Sequence, residues 1–214
     1  MNYGPYEVVY AYAPPRKRFS FSRQEIQDLG IAVGGLTLAF AIAYSKVMYN
    51  HNIPLFLYSL LVSFLAVFSG FVFHEMGHKF VAQRYGCWAE FRAFPRGILM
   101  ALLFSLMGFV FAAPGAVMIS GRITEEQNAK ISMAGPIVNL SIGFLLLPLI
   151  LTVNYTPVLL AAYTVASINF LLAAFNLLPI PPLDGSKIWR WNLPLYIVLM
   201  AAAVAMYLVL RHPF

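Results

Sequence analysis

Charged residues are scarce in this chain of 214 residues, at 10% of the sequence against 61% hydrophobic residues. Soluble domains average about 25% charged residues, so the composition excludes an ordinary soluble protein. Cysteine occurs once, at Cys87, which excludes an intrachain disulfide and a metal site built on several cysteines. The length suits one membrane-embedded domain, expected over 28–214, after an arm over 1–27 that ends in the start of an interfacial helix.

Acidic residues are few, and basic residues outnumber them by 14 to 8, for a net charge of +6. The basic residues lie scattered between apolar stretches, which indicates charge that flanks a membrane and no nucleic-acid partner. Residues 1–21 lack the short apolar core of a signal peptide and are expected to lie in the cytosol. Ser22 and Glu25 then fit the S-x-x-E capping box, which would begin a helix that enters the membrane.

Long apolar runs are what the sequence does contain. Five of them approach the roughly 20 residues that a helix needs to cross a bilayer. They lie at 29–49, 54–82, 131–153, 156–178 and 190–210. We therefore predict an all-α polytopic membrane protein with about five transmembrane helices in a lipid bilayer, and a prokaryotic cell membrane is its expected location.

A sixth apolar stretch, 97–119, is ambiguous because Gly108, Pro114 and Gly115 interrupt it. If it dips into the membrane and returns, 12 of the 14 Lys and Arg lie on the side of the N-terminus, whereas a crossing divides them 8 to 6. Cytosolic segments carry an excess of Lys and Arg. We therefore predict a re-entrant segment at 97–120 and a cytosolic N-terminus.

One acidic residue, Glu75, lies inside a predicted span, between His74 and His78. Residues four apart share one face of a helix, so both imidazoles could bind a single metal ion. Glu75 lies about 100° further around the helix and could act as a base on water beside that ion. Because an ionisable group at this depth is costly, it indicates function. The motif predicts one zinc ion per chain, with Glu75 as the catalytic residue.

A catalytic zinc site of this kind needs a third protein ligand. His51 and His212 lie at the predicted outer ends of spans, and the acidic pair at 125–126 lies in a polar loop. Asp184 is the best candidate because it follows three prolines within 179–182, which must end the preceding helix. The extended segment that results could bring a carboxylate to the metal and offer a strand edge to a peptide.

Two motifs together resemble the site-2 protease family of intramembrane metalloproteases, and a third element adds to the resemblance. The motifs are His74-Glu75-Met76-Gly77-His78, Ala134-Gly135-Pro136-Ile137-Val138-Asn139, and Asn176-Leu177-Leu178-Pro179-Ile180-Pro181-Pro182-Leu183-Asp184-Gly185. The resemblance extends over about 54–190. Ser186 departs from it, because a second glycine is common at that position.

The resemblance implies hydrolysis of peptide bonds in or near the transmembrane helices of membrane-protein substrates. The roles that it implies are zinc ligation by His74, His78 and Asp184, general base catalysis by Glu75, and contacts with the substrate or the developing oxyanion by Asn176 and Asn139. With the N-terminus in the cytosol, the active site is expected at the cytosolic end of the spans. The substrate and the oligomeric state stay open.

The family core has two crossings between the paired motifs, so that the ligands meet at the same depth. The spans 131–153 and 156–178 supply these crossings. The family also has a membrane-dipping β-like loop, to which 97–119 is similar, and residues 111–121 would pair with an extended substrate. Two other interpretations stay open, a zinc-binding transporter or sensor and an inactive protease homologue, although the spans contain few further polar groups that could form a path for ions.

Overall fold

The computed structural model describes residues 19–45 and 52–211. Most of the arm predicted over 1–27 lies outside the described residues, as do His51 and His212. In chain order the elements are α1 (Arg23–Ser45), α2 (Ile53–Val67), α3 (Phe73–Arg84), β1 (Trp88–Ala93), α4 (Pro95–Ser105), β2 (Gly115–Ser120), α5 (Glu125–Thr152), α6 (Thr156–Asn176), α7 (Gly185–Trp191) and α8 (Leu193–Arg211).

Five helical segments within the described residues are long and apolar enough to cross a membrane. They are α1, the continuous segment Ile53–Arg84, α5, α6 and α8. Their outer faces are apolar and exposed, as at Leu145 and Leu151, which suits contact with lipid tails. The prediction of an all-α polytopic fold with five spans is confirmed, and the protein is an integral, multi-pass membrane protein.

The second span contains a π-helical turn, Phe68–Val72, between α2 and α3. Gly70 lies in this turn and packs against α6, where an added Cβ would come within 2.9 Å of the Leu172 side chain. A π turn interrupts the regular α-helical hydrogen bonds, and the Gly70 carbonyl accepts a hydrogen bond of 2.7 Å from the Asn139 side chain of α5. Three spans therefore meet immediately before the H-E-x-x-H motif.

The ambiguous stretch 97–119 does not form a sixth crossing helix. The helix α4 has 11 residues, whereas a transmembrane helix needs at least about 17. It ends in a turn where Gly108 has a φ of +88°, a conformation that favours glycine. The chain then returns to the start of α4. There Gly97 packs against the Ala113 carbonyl so closely that no Cβ would fit at position 97. The stretch forms a short apolar helix that leads into a strand, and its entry into the membrane stays a prediction.

The strands β1 and β2 form a two-stranded antiparallel sheet in which Phe91 opposes Val117. Residues 111–121 were expected to be strand-like, and β2 lies within them. β1 was not predicted from the sequence. Glu90 and Arg92 do alternate with the buried residues Ala89 and Phe91, which is the pattern of a strand, but the partner strand begins only at Gly115. Within the described residues the sheet has only these two strands, so one edge of each strand lacks a neighbouring strand.

Small residues bring the central helices close together, which is the usual packing device of membrane helices. An added Cβ on Gly77 of α3 would lie 3.0 Å from the Ala134 carbonyl of α5. An added Cβ on Gly143 of α5 would lie 2.5 Å from the Phe170 ring of α6. The helix α3 is thereby held against α5, and α5 against α6.

Candidate metal centre and active site

The structure brings together the three residues that were predicted to bind zinc. The Nε2 atoms of His74 and His78 are 3.0 Å apart, as expected for residues one turn apart on α3. The Asp184 Oδ2 atom lies 3.4 Å from the Nε2 of His74 and 3.2 Å from that of His78. All three side chains offer ligand atoms within 4.8 Å of one another, although Asp184 lies 106 positions after His78 in the chain.

The hydrogen bonds behind the two imidazoles determine which ring nitrogens face the centre. The Nδ1 of His74 lies 2.5 Å from the Asn139 side-chain oxygen, and the Nδ1 of His78 lies 2.8 Å from the Ile131 carbonyl. Both oxygens can only accept, so each Nδ1 donates its proton. In the neutral rings, both Nε2 atoms therefore carry lone pairs directed toward the Asp184 carboxylate. Three electron-pair donors that converge in this way fit a metal cation.

Gly135 leaves the space that these rings need. A Cβ added to it would lie 2.5 Å from the Nε2 of His78 and 2.6 Å from the Nε2 of His74. The backbone of α5 therefore passes directly beside the ligand atoms, and any larger residue would push into the position of the metal. The absence of a side chain at this point is a second feature that fits a bound ion.

The segment 177–184 carries Asp184 to the centre, and the start of α7 holds it there. Gly185 packs so closely on the Leu177 carbonyl that a Cβ would not fit, which explains the glycine after the ligand. Burial would raise the pKa of the Asp184 carboxyl, but the two imidazoles, when they are protonated, lower that pKa overall through their charge and hydrogen bonds. The ionised carboxylate is the form in which Asp184 could bind a metal.

Glu75 lies beside the metal-binding group without belonging to it. Its Oε2 atom accepts a hydrogen bond of 2.9 Å from the backbone amide of Val117 in β2. The residue is only 8% exposed, so its carboxylate is enclosed between α3 and the sheet. A carboxylate next to a metal position, free of the metal, is the arrangement of a general base for water.

Asn139 and Asn176 occupy different positions relative to this centre. Asn139 is fully buried and contacts the ring nitrogen of His74 that faces away from Asp184, so its placement supports an orienting role and not the expected contact with substrate. Asn176 is the last residue of α6 and half-buried, and its side-chain amide donates to the Leu172 carbonyl at 2.9 Å.

Asn169 completes the hydrogen-bond network behind His74 and was not singled out from the sequence. Its side-chain oxygen accepts from Asn139 at 3.0 Å, and its amide donates to Ser69 at 3.2 Å and to the Val165 carbonyl at 2.9 Å. It is fully buried in the middle of an apolar span. That position is itself a signal, because polar residues inside membrane spans are costly and usually have a partner.

Comparison with known proteins identifies the family. The chain is 42% identical over 180 residues to MJ0611 of Methanocaldococcus jannaschii, which bears the name of a zinc metalloprotease, and the match covers 81% of this chain and 87% of that protein. The chain belongs to peptidase family M50. The model of that family matches residues 156–197, from the start of α6 through Asp184 into α8. The resemblance to the site-2 protease family is thereby confirmed.

Two further relatives of this M50 protein bear the same kind of name. The chain is 31% identical over 159 residues to YwhC of Bacillus subtilis, which covers 63% of this chain and 69% of that protein. It is 33% identical over 133 residues to the zinc metalloprotease MJ0392 of M. jannaschii. That match covers 60% of this chain but only 33% of the length of MJ0392. A comparison with solved structures found no match. The protein described here, as a member of family M50, is a zinc-dependent metalloendopeptidase embedded in the lipid bilayer.

Proposed function

We propose that this protein hydrolyses peptide bonds in or near the transmembrane helices of other membrane proteins. The observation that carries the proposal is the hydrogen bond from the Val117 amide of β2 to the Glu75 carboxylate. It puts the proposed base between the edge of a strand and the group of three metal-binding residues. A hydrolytic centre therefore adjoins an edge to which an extended peptide can bind.

The outer edge of β2, which has no neighbouring strand in the described part of the chain, supplies the proposed substrate contact. Along an antiparallel strand, the backbone amides point alternately toward the partner strand and away from it. The Val117 amide points away from β1, because it donates to Glu75, and so the amides of Gly115 and Ile119 point the same way. An extended segment could pair with this edge through its backbone, independently of its side chains. A substrate helix would have to unwind first, because its own amides and carbonyls are paired.

The proposed chemistry assigns the proton transfers to Glu75. Its carboxylate would accept a proton from the attacking water and pass that proton to the leaving amine. Zinc, held by His74, His78 and Asp184, would act as a Lewis acid and activate water at neutral pH. The burial of the two histidines and of Glu75 limits competing bulk water, which strengthens electrostatic interactions at the site.

Asn176 is the proposed donor to the substrate or the developing oxyanion. It lies at the end of α6, at the start of the segment that leads to Asp184. Its amide bonds within its own helix, and it would have to leave that bond to donate to an oxyanion. For Asn139 we propose a different role, which is to keep the Nδ1 of His74 protonated and its Nε2 free for the metal.

We propose that the active-site end and the N-terminus lie in the cytosol of a prokaryotic cell. The proposal is supported by the uneven distribution of Lys and Arg, 12 to 2, which follows when 97–119 does not cross the membrane. The relatives come from an archaeon and from bacteria. We further propose a single membrane-embedded domain over 28–214 with its core at 54–190.

The test is the position of the cut. The purified protein is reconstituted in vesicles with a single-span substrate, and the products are mapped by intact mass. We expect cleavage within the span or a few residues from it, which requires zinc. Glu75→Gln should abolish this cleavage, and Glu126→Gln is its matched control, because Glu126 is exposed and pairs with Lys130 on the surface. Cleavage confined to soluble peptides, with the spans left intact, would contradict the proposal.

A further inference from the structure

An ion pair between Glu25 of α1 and Lys79 of α3 lies completely buried beside the active site. Lys79 directly follows the metal-binding residue His78. Fully buried Lys and Glu are rare and occur as pairs. The capping box predicted from Ser22 and Glu25 is only half formed: the Glu25 amide donates to the Ser22 hydroxyl at 3.1 Å, but the Glu25 carboxylate turns into the protein.

The same carboxylate also binds the sheet. Its Oε1 atom accepts a hydrogen bond of 3.0 Å from the Phe91 amide of β1. Phe91 is the residue that opposes Val117 in the sheet. The Phe91 amide therefore points away from β2, at the outer edge of β1, and donates to Glu25. The Val117 amide points away from β1, at the outer edge of β2, and donates to Glu75. One pair of opposed residues is bound by a carboxylate at each outer edge.

These contacts close into a ring. Glu75 and Lys79 are four residues apart and lie on the same face of α3. Lys79 binds Glu25, Glu25 binds Phe91, and Val117 binds Glu75. The ring passes once through the catalytic helix and once across the sheet, so it determines how far the edge of β2 lies from the base.

We propose that Glu25 is a positioning residue that holds the sheet in register with Glu75 and so sets the affinity for the substrate peptide. This inference rests on the proposed function. It goes beyond it by assigning a role to α1, which contributes neither a metal ligand nor the base. The rings of Phe21 and Phe19 cover the ammonium group of Lys79, at 4.1 and 5.9 Å from Nζ to the ring centres, and so exclude water from the pair.

Two double variants separate the hydrogen bond to the sheet from the burial of the charges. Both Glu25→Gln/Lys79→Met and Glu25→Met/Lys79→Met remove the two charges together, which avoids an unpaired buried charge. They differ in the side chain at position 25: the amide oxygen of Gln can accept from Phe91, whereas the thioether of Met is only a weak acceptor. The exposed pair Glu126 and Lys130 supplies the matched control, Glu126→Gln/Lys130→Met.

Three assays are run on each variant in vesicles. Chelator competition gives the zinc affinity, kinetics on a single-span substrate give KM and kcat, and deuterium exchange is followed for residues 88–93 and 115–120. For Glu25→Met/Lys79→Met we expect KM to rise about tenfold, as for the loss of one hydrogen bond, with faster exchange in both strands. Its zinc affinity and kcat should stay near those of the wild type. Glu25→Gln/Lys79→Met should recover most of the KM and of the protection from exchange, and the control should match the wild type.

Equal KM and equal exchange in the two double variants would overturn the inference. So would a loss of zinc affinity in step with the loss of cleavage, because the pair would then hold the fold as a whole and not the strand. If the wild type cleaves no membrane substrate, the proposed function fails. The exchange of the two strands still decides whether Glu25 positions the sheet.

Discussion

Replacing Asn139 by alanine should weaken zinc binding and destabilise the protein through two separate sets of contacts. Its oxygen accepts from the Nδ1 of His74 at 2.5 Å, and the loss of such a partner lowers metal affinity by about 10–100-fold. Its amide donates to the Gly70 carbonyl and to the Asn169 oxygen, at 2.7 and 3.0 Å. In the alanine variant both buried acceptors would be left without this donor. Each would lower the free energy of unfolding by about 1–3 kcal/mol, which makes about 2–6 kcal/mol in total.

Asn139→Asp separates the two effects, because it keeps an acceptor for His74 and removes the amide donor. We expect it to bind zinc at least as tightly as the wild type and yet to be less stable, whereas Asn139→Ala should lose on both measures. Zinc affinity is measured by competition with a chelator of known affinity, and stability by denaturant unfolding of the same preparation. Wild-type zinc affinity in Asn139→Ala, or equal losses of affinity in both variants, would refute the orienting role.

Three other substitutions test single contacts of the site. Gly135→Ala should lower zinc affinity at least about tenfold, the effect of a 1.4 kcal/mol clash. The cause is the new Cβ, which would lie 2.5 Å from the Nε2 of His78. Unchanged affinity in the chelator assay would show that the rings do not bind metal there. Asp184→Ala should abolish stoichiometric zinc in elemental analysis, and full zinc content would exclude it as a ligand. Val117→Pro removes the amide that binds Glu75 without removing a bond to β1. It should slow cleavage about tenfold with zinc retained, the effect of one lost hydrogen bond, and an unchanged rate would remove the edge of β2 from the mechanism.

The spans and the ligands could be predicted because each leaves a signal within a short stretch of sequence. A span is a run of apolar residues, and His74, Glu75 and His78 share one turn of helix. Asp184 was predicted from the three prolines before it, and its meeting with His78 at one depth also requires an even number of crossings between the motifs. The structure satisfies it, because α4 is too short to cross and only α5 and α6 intervene.

The remaining contacts could not be predicted because they join residues that are distant in the chain. The Glu25 carboxylate pairs with a lysine 54 positions away, whereas its local pattern indicates a helix cap. Asn139 occupies the position of a family motif, but the direction of its side chain follows from the π turn at Gly70 and from Asn169. β1 becomes a strand because β2 returns to pair with it.

The central claim is that Glu75 acts as the base of a zinc site that cleaves transmembrane substrates. The most direct measurement compares the wild type with Glu75→Gln in the same vesicles, recording zinc content and the rate of cleavage of a single-span substrate together. We predict one zinc per chain in both proteins and no detectable cleavage by the variant, because the amide cannot accept the proton. Cleavage by Glu75→Gln at the wild-type rate with zinc bound would contradict the account.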